Sequence, residues 1–313
     1  MKRNSMGAAT SKLSPHRASQ TAEVMALFRS LETLQPARIR LFEDRLAQAF
    51  LRPSMRALMR AARMPVVRRA IVSVVDRRWP GARTSAIART RLVDDAVIRA
   101  VREGAKQVLV LGAGFDSRAH RLRELARARV YEVDHPATQR EKIVRLSRIV
   151  ASRADAVVYV PVDFQTQELD IALRATRFDP NARTFVIWEG VTNYLSEVAV
   201  DQALRVLHRM LACGSEVLFT YVHRALLDGS IHFKGGEQIL ERVRRAGEPW
   251  TCGFDPVEMP AYLSARGLQL VEDLSADEYR ARYFGAAARA MTGYAFYRAA
   301  LARVVDDGAR VSN

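Results

Sequence analysis

Cysteine is nearly absent: Cys213 and Cys252 are the only two in 313 residues. Two isolated thiols build neither a disulfide framework nor a zinc site, so no metal centre is expected, and they fit a reducing compartment. Long apolar runs are missing too. No stretch approaches the roughly 18 consecutive apolar residues of a membrane-crossing helix. The segment from Met1 to Ser14 is polar and basic with no apolar block behind it, so no secretory leader is expected. These absences predict a cytoplasmic protein with no membrane partner. Lysine is scarce as well, five among 49 basic residues. The formal charge is +15, and residues 1–80 hold sixteen basic against five acidic residues. Such a surface could meet nucleic acid, an anionic membrane face or an acidic substrate. An arginine- and alanine-rich coding bias explains it more economically. What remains is globular: 49% apolar and 27% charged residues exclude wholesale disorder.

Residues 1–18 are small, polar and basic and are predicted as a disordered tail. Residues 19–83 read as a helical cap. Val24, Leu27, Phe28 and Leu31 recur at helical spacing, and Pro36, Pro53 and the turn Trp79-Pro80-Gly81 punctuate the stretch. From residue 84 to 313 the grammar is strand–helix alternation. Helices are predicted over 85–103, 116–127, 137–151 and 197–211, the last capped by Ser196. Between them lie continuous apolar runs: Val108–Leu111, Val130–Val133, Val157–Val162, Phe185–Trp188 and Val217–Phe219. Continuous runs indicate strands buried on both faces of a parallel sheet. Pro161 places the third strand at an edge, as an order 3-2-1-4-5 requires. Leu268–Leu274 and Tyr294–Arg298 supply two further strands. Residues 223–267 interrupt the rhythm and are predicted as an inserted lid over the carboxyl ends of the strands.

Ligands of open parallel sheets sit beyond those carboxyl ends, and every run here ends in something polar or small. The first ends in Gly112-Ala113-Gly114-Phe115-Asp116, a loop whose glycines admit a close backbone approach. Ser117 stands where a dinucleotide fingerprint has its third glycine, and Asp116 disfavours a pyrophosphate. The second run ends in Glu132-Val133-Asp134, two carboxylates on one side of the strand, about 20 residues on, the spacing of a ribose-binding acid. Asp163 and Glu189 end the third and fourth runs. Four acidic strand ends exceed what helix capping needs. Together they describe a pocket for ribose hydroxyls, an exocyclic amine and an ammonium or sulfonium, which is S-adenosylmethionine. Its carboxylate needs a cation. Arg89 lies on the apolar stripe with Val93, Ala96, Val97 and Ala100, pointing inward. It serves either that role or a buried pair with Asp94, Asp95 or another carboxylate.

The runs Arg89-Thr90-Arg91 with Asp94-Asp95, Gln107 through Arg118, Tyr131-Glu132-Val133-Asp134-His135-Pro136, Val162-Asp163-Phe164 and Glu189-Gly190-Val191-Thr192-Asn193-Tyr194-Leu195 resemble the leucine carboxyl methyltransferase family. Ser19-Gln20-Thr21-Ala22 and Gly253-Phe254-Asp255-Pro256 extend the likeness to nearly all of the chain after residue 18. The resemblance implies a class I methyltransferase fold: a Rossmann-like, doubly wound, seven-stranded sheet with a helical N-terminal cap and an inserted lid. It implies Arg89 on the methionine carboxylate, Gly112 at the methionine backbone, Asp134 on the ribose, Asp163 and Phe164 at the adenine, and Glu189 near the ammonium. The family's eukaryotic peptide methylases also use an N-terminal lysine, and no equivalent is found here.

Methyl transfer from a sulfonium is an in-line displacement that asks mainly for positioning and a desolvated path. A carboxylate acceptor needs no base; a phenol or hydroxyl benefits from one. His223, Tyr194 and Tyr221 lie near the correct edge and are the catalytic candidates. The expected function is O-methylation of a carboxylate or hydroxyl on a small, apolar, polyketide-like metabolite, by a chain that could also self-associate. Two rivals stand beside it: a cofactor-binding protein without catalysis, and a nucleic-acid methyltransferase. Against the second, the fourth run ends in nothing like an Asn/Asp-Pro-Pro-Tyr/Phe motif, and no stacking aromatics punctuate the basic stretch.

Overall fold

The computed structural model describes residues 15–147, 149, 157–163 and 167–306. Phe164 and the tail up to residue 14 lie outside the described residues. Helix α1 spans Pro15–Thr33, so it begins inside the segment predicted as tail. Helices α2, Pro53–Ala61, and α3, Pro65–Arg78, follow, each with proline in its first turn, where the missing N–H costs nothing. Helix α4, Ala82–Arg102, starts from Gly81 in the left-handed region, φ 85°. A Cβ on Gly81 would fall 2.6 Å from the Gly293 carbonyl oxygen, so the predicted boundary turn is also a close backbone crossing.

Seven strands form one sheet: β1 Gln107–Leu111, β2 Arg129–Asp134, β3 Val157–Pro161, β4 Thr184–Trp188, β5 Glu216–Val222, β6 Leu268–Ser275 and β7 Tyr297–Val304. Their order is β3-β2-β1-β4-β5-β7-β6. Strands β1 to β5 are parallel, with β3 and its Pro161 at the edge as the proline requires. Strand β7 inserts antiparallel between β5 and β6. It begins three residues later than the sequence suggests. Tyr294 adopts φ 62°, and a turn closed by the Tyr297 N–H on the Tyr294 carbonyl precedes the strand.

The two faces of the sheet separate with period two. Leu109, Tyr131, Val186, Phe219 and Tyr221 pack with Val200, Leu204 and Leu207 of α8, Glu197–Met210. Val108, Val110, Val130, Phe185 and Leu218 pack with Val93, Val97 and Ala100 of α4. Ser196 caps α8 as predicted, its Oγ accepting from the Ala199 N–H at 3.2 Å. The helix predicted over 116–127 is instead a short α5, Arg118–Arg121, and a 3-10 turn, Arg123–Arg127, because Leu122 is extended. Helices α6, Pro136–Ser147, and α7, Leu169–Arg174, complete the crossovers. Between β5 and β6 the predicted lid segment holds α9 Arg224–Leu227, α10 Gly236–Arg245 and α11 Met259–Ser264; α12, Ala276–Phe284, connects β6 toward β7.

Candidate functional site

Strand β1 delivers the glycine loop to the crevice where the strand order reverses, between β1 and β4. Gly112 has φ 65° and Gly114 φ 46°. A Cβ on Gly112 would meet Val191 Cγ2 at 2.5 Å, so both the backbone and the space demand glycine. Ala113 is buried, and its N–H, like that of Gly112, donates to the Val133 carbonyl, anchoring the loop on β2. The Gly114 N–H donates to Asp134 Oδ2, and the His135 N–H to Asp134 Oδ1 at 2.6 Å. Burial outweighs these two bonds and raises the Asp134 carboxyl above its ordinary value. The Val162 N–H binds the Asp134 carbonyl, which sets Asp163 beside Asp134 at the β2 and β3 ends.

Helix α4 delivers Arg89, buried on the same face as Val93 and Val97. Its Nε donates to Glu189 Oε1 at 2.7 Å, and its guanidinium lies over the Tyr297 ring, 4.6 Å from the centroid. Its Nη2 also reaches Met25 Sδ of α1. The buried pair is therefore with Glu189, not with Asp94 or Asp95. Arg118 holds the other side of Glu189, Nη2 to Oε2 at 2.9 Å, and bonds Asp94 through Nε at 2.8 Å and Asp116 through Nη1. Burial alone would raise both carboxyls; Arg118, aided at Glu189 by Arg89 and at Asp116 by Lys142, more than reverses it and holds them low.

The ion pairs continue outward to the cap. Arg121 bonds Asp94 at 2.6 Å and lies 3.9 Å from Asp44. Asp44, fully buried, also accepts from Ser117 Oγ at 2.6 Å and Arg29 Nε at 2.9 Å. Arg29 reaches on to the Phe115 carbonyl at 2.6 Å. Four arginines and four carboxylates thus tie cap, glycine loop and α4 into one charge-balanced network. Arg118, Arg121, Arg29 and Asp44 carry no local signal of this in the sequence.

Four expectations change. Asp116 is neutralised by Arg118, so it is not the free negative charge that its position suggested. Glu132 is buried with Lys142 of α6, Nζ to Oε2 at 2.5 Å, and turns toward that helix. Burial outweighs Lys142 and pushes its carboxyl up to about 7. Lys142 had one signal: it is one of only five lysines in an arginine-rich chain. Tyr221 faces away from the crevice, fully buried, its hydroxyl donating to Asp273 at 2.6 Å. Its neighbour Thr220 points the other way, accepting the Gly190 N–H at 2.8 Å and lying 3.3 Å from the Tyr297 hydroxyl. His223 caps α9, its Nδ1 accepting from the Ala225 N–H at 3.1 Å. An acceptor at Nδ1 puts the neutral ring's proton on Nε2, which makes that nitrogen a donor rather than a base. Tyr194 stays near the crevice, in a 3-10 turn after Glu189, edge-on to Trp250 with centroids 6.4 Å apart. Burial pushes its phenol up to about 12, so it is neutral at physiological pH.

Residues 22–208 match the family model described as leucine carboxyl methyltransferase. The chain belongs to that family. A Frankia alni protein provisionally named an S-adenosylmethionine-dependent methyltransferase is 34% identical over 226 residues, 70% of this chain and 74% of that one. A Bacillus subtilis protein with the same provisional name is 29% identical over 58% of this methyltransferase and 60% of its own length. For a Mycobacterium marinum relative, 34% identical, the match spans 53% of this chain and half of that protein. Among solved structures, a Thermobifida fusca protein provisionally named a methyltransferase superposes with TM-score 0.59 at 18% identity, over 88% of this chain and 97% of that one. A DUF574-family protein of Streptomyces avermitilis gives 0.57 at 15% identity, over 88% and 96%. The sheet of this methyltransferase is thus the class I methyltransferase sheet expected from its sequence.

Proposed function

We propose that this methyltransferase uses S-adenosylmethionine to methylate a carboxylate or hydroxyl oxygen of a small, apolar metabolite. The observation that carries the reading is the Arg89–Glu189 pair beside the glycine loop. An amino acid brings one carboxylate and one ammonium, and this pair offers one partner of each sign in a buried setting. A zwitterion can therefore take up both side chains without leaving an unpaired charge. Asp134 and Asp163 supply acceptors for ribose hydroxyls and the adenine amine. Gly112, in the left-handed region, turns the loop so that its backbone can meet the ligand. The donor set fits the cofactor.

When bound, the cofactor supplies an electrophilic methyl on a cationic sulfur. The protein's part is placement. Arg118 fixes Glu189 from behind, so Glu189 keeps its direction when Arg89 turns to the incoming carboxylate. Met25 of α1 and the rings of Tyr194, Trp250 and Tyr297 give the crevice an apolar wall that excludes water. A carboxylate acceptor arrives ionised and needs no base. For a hydroxyl acceptor, Tyr194 is the one of the three catalytic candidates that is still available. The neutral Tyr194 phenol takes no proton; it orients the acceptor by accepting the hydrogen bond of its O–H, and the proton released as the O–C bond forms passes to solvent.

Thermal unfolding with S-adenosylhomocysteine, with NADH as control, tests the reading. Ligand at a hundred times its dissociation constant adds about 2.7 kcal/mol of stability. A shift with the nucleoside alone is expected. No shift with either, in protein carrying no bound nucleoside, would overturn it.

A further inference from the structure

The outer face of the cap carries a surface that the methyl-transfer site does not use. Helices α2 and α3 turn Met59, Ala62 and Val75 into the core, and Met59 and Ala62 pack in one cluster with Phe115 of the glycine loop. The tip where the two helices meet is nevertheless apolar on its outside. Met64 is 62% exposed and Val66 74%. Ile39 is exposed nearby and shares a surface groove with Arg38, Arg68, Arg69 and Val72.

The charge around this tip has one sign. From Arg45 to Val75 the chain has seven arginines and no acid. Arg56, Arg60, Arg63, Arg68 and Arg69 make no ion pair among the described residues. Elsewhere on the surface, arginine commonly lies against a carboxylate: Arg91 on Asp95, Arg205 on Asp201, Arg244 and Arg245 on Glu241, Arg282 on Glu272. A coding bias explains many arginines. It does not explain the missing acids.

We infer that this face docks the protein on an anionic lipid surface, with Met64 and Val66 entering the headgroup boundary and the unpaired arginines meeting lipid phosphates. Apolar insertion and electrostatic attraction add at such a surface, and each alone gives only weak binding. This departs from the composition-based expectation of no membrane partner, in which coding bias accounted for the basic surface. A second copy of the chain is a poor occupant, because a two-fold contact would bring both sets of unpaired arginines together. Duplex nucleic acid would use the arginines but leave Met64 and Val66 in water.

The test is flotation of the full chain with phosphatidylcholine vesicles and with vesicles also containing phosphatidylglycerol, at about 0.1 M salt, where surface charges act over about 10 Å. Capture by the anionic vesicles alone is expected. Arg60→Gln, Arg63→Gln and Arg69→Gln should each weaken it about fivefold. Met64→Asp with Val66→Asp should weaken it at least as much as one arginine change. These positions are exposed, so each variant should melt at the parent's temperature, which reports an intact fold whatever reaction the enzyme performs. Equal capture by neutral vesicles, no capture, or capture unchanged in the variants overturns the inference. Tighter binding to duplex DNA than to anionic vesicles also overturns it and makes the surface a nucleic-acid one.

Discussion

The two ends of the crevice solve the same problem with different physics. At the β1–β4 end, charge answers charge: Arg89, Arg118, Asp94, Asp116 and Glu189 are cross-linked by ion pairs and buried or nearly so. At the β2–β3 end, Asp134 has no cation against its carboxylate among the described ion pairs and is held by two backbone N–H groups. The first arrangement is self-sufficient before any ligand arrives. The second keeps its carboxylate oriented and leaves it a net negative charge. One end of the candidate site is thus built into the ion pairs of the fold, whereas the other holds a carboxylate by backbone N–H groups alone.

The largest effect is expected of Arg118→Met. It leaves Asp94, Asp116 and Glu189 buried without their shared cation. Removing one partner of a buried pair costs about 3–5 kcal/mol, so urea unfolding should show a loss of that size. A variant of wild-type stability would mean the network is not structural. Asp134→Ala should do the opposite. Losing charge-assisted bonds worth about 1.5–3 kcal/mol weakens S-adenosylhomocysteine roughly ten- to hundredfold, with a smaller change in unfolding. Calorimetric titration measures this, and unchanged affinity would remove Asp134 from the ribose site.

Tyr221→Phe sharpens the contrast between the two faces of β5. It removes the hydrogen bond to the Asp273 carboxylate at a cost of about 1.5–3 kcal/mol and should leave kcat and KM unchanged. A large fall in kcat at constant KM would return Tyr221 to the reaction. The smallest effect concerns pH. Arg118 and Arg89 hold the Glu189 carboxyl below its ordinary 4.5. Glu189 therefore stays ionised from pH 5.5 to 8, and its contribution to cofactor affinity should be flat there. Its stabilising contribution is present above the ordinary carboxyl value and is lost as pH falls through the depressed one. A step in affinity between pH 5.5 and 8 that disappears in Glu189→Gln would contradict that balance.

Much of the site was legible because it lies at strand ends. Gly112, Asp134, Asp163 and Glu189 each stop an apolar run, and strand–helix alternation orders those ends along one edge. Arg89 was legible as an inward charge on an apolar stripe. Glu132 was misplaced because period two tells which side of a strand a residue takes, not which helix waits there with Lys142. His223 was misplaced because its position at the edge says nothing of the ring nitrogen, which the short helix after it uses as a cap.

Local pattern was enough to determine the parallel sheet, the edge position of β3, the glycine loop and the row of acids, because each rests on neighbours a few residues apart. Only the tertiary structure decided who pairs with whom. Arg89 meets Glu189 across 100 residues, and Ser117 meets Asp44 across 73. It also decided that β7 runs antiparallel between β5 and β6, and that Thr220 rather than Tyr221 faces the crevice. A buried charge needs an opposite charge, but its sequence says only that a partner must exist. The packing of distant elements selects which one.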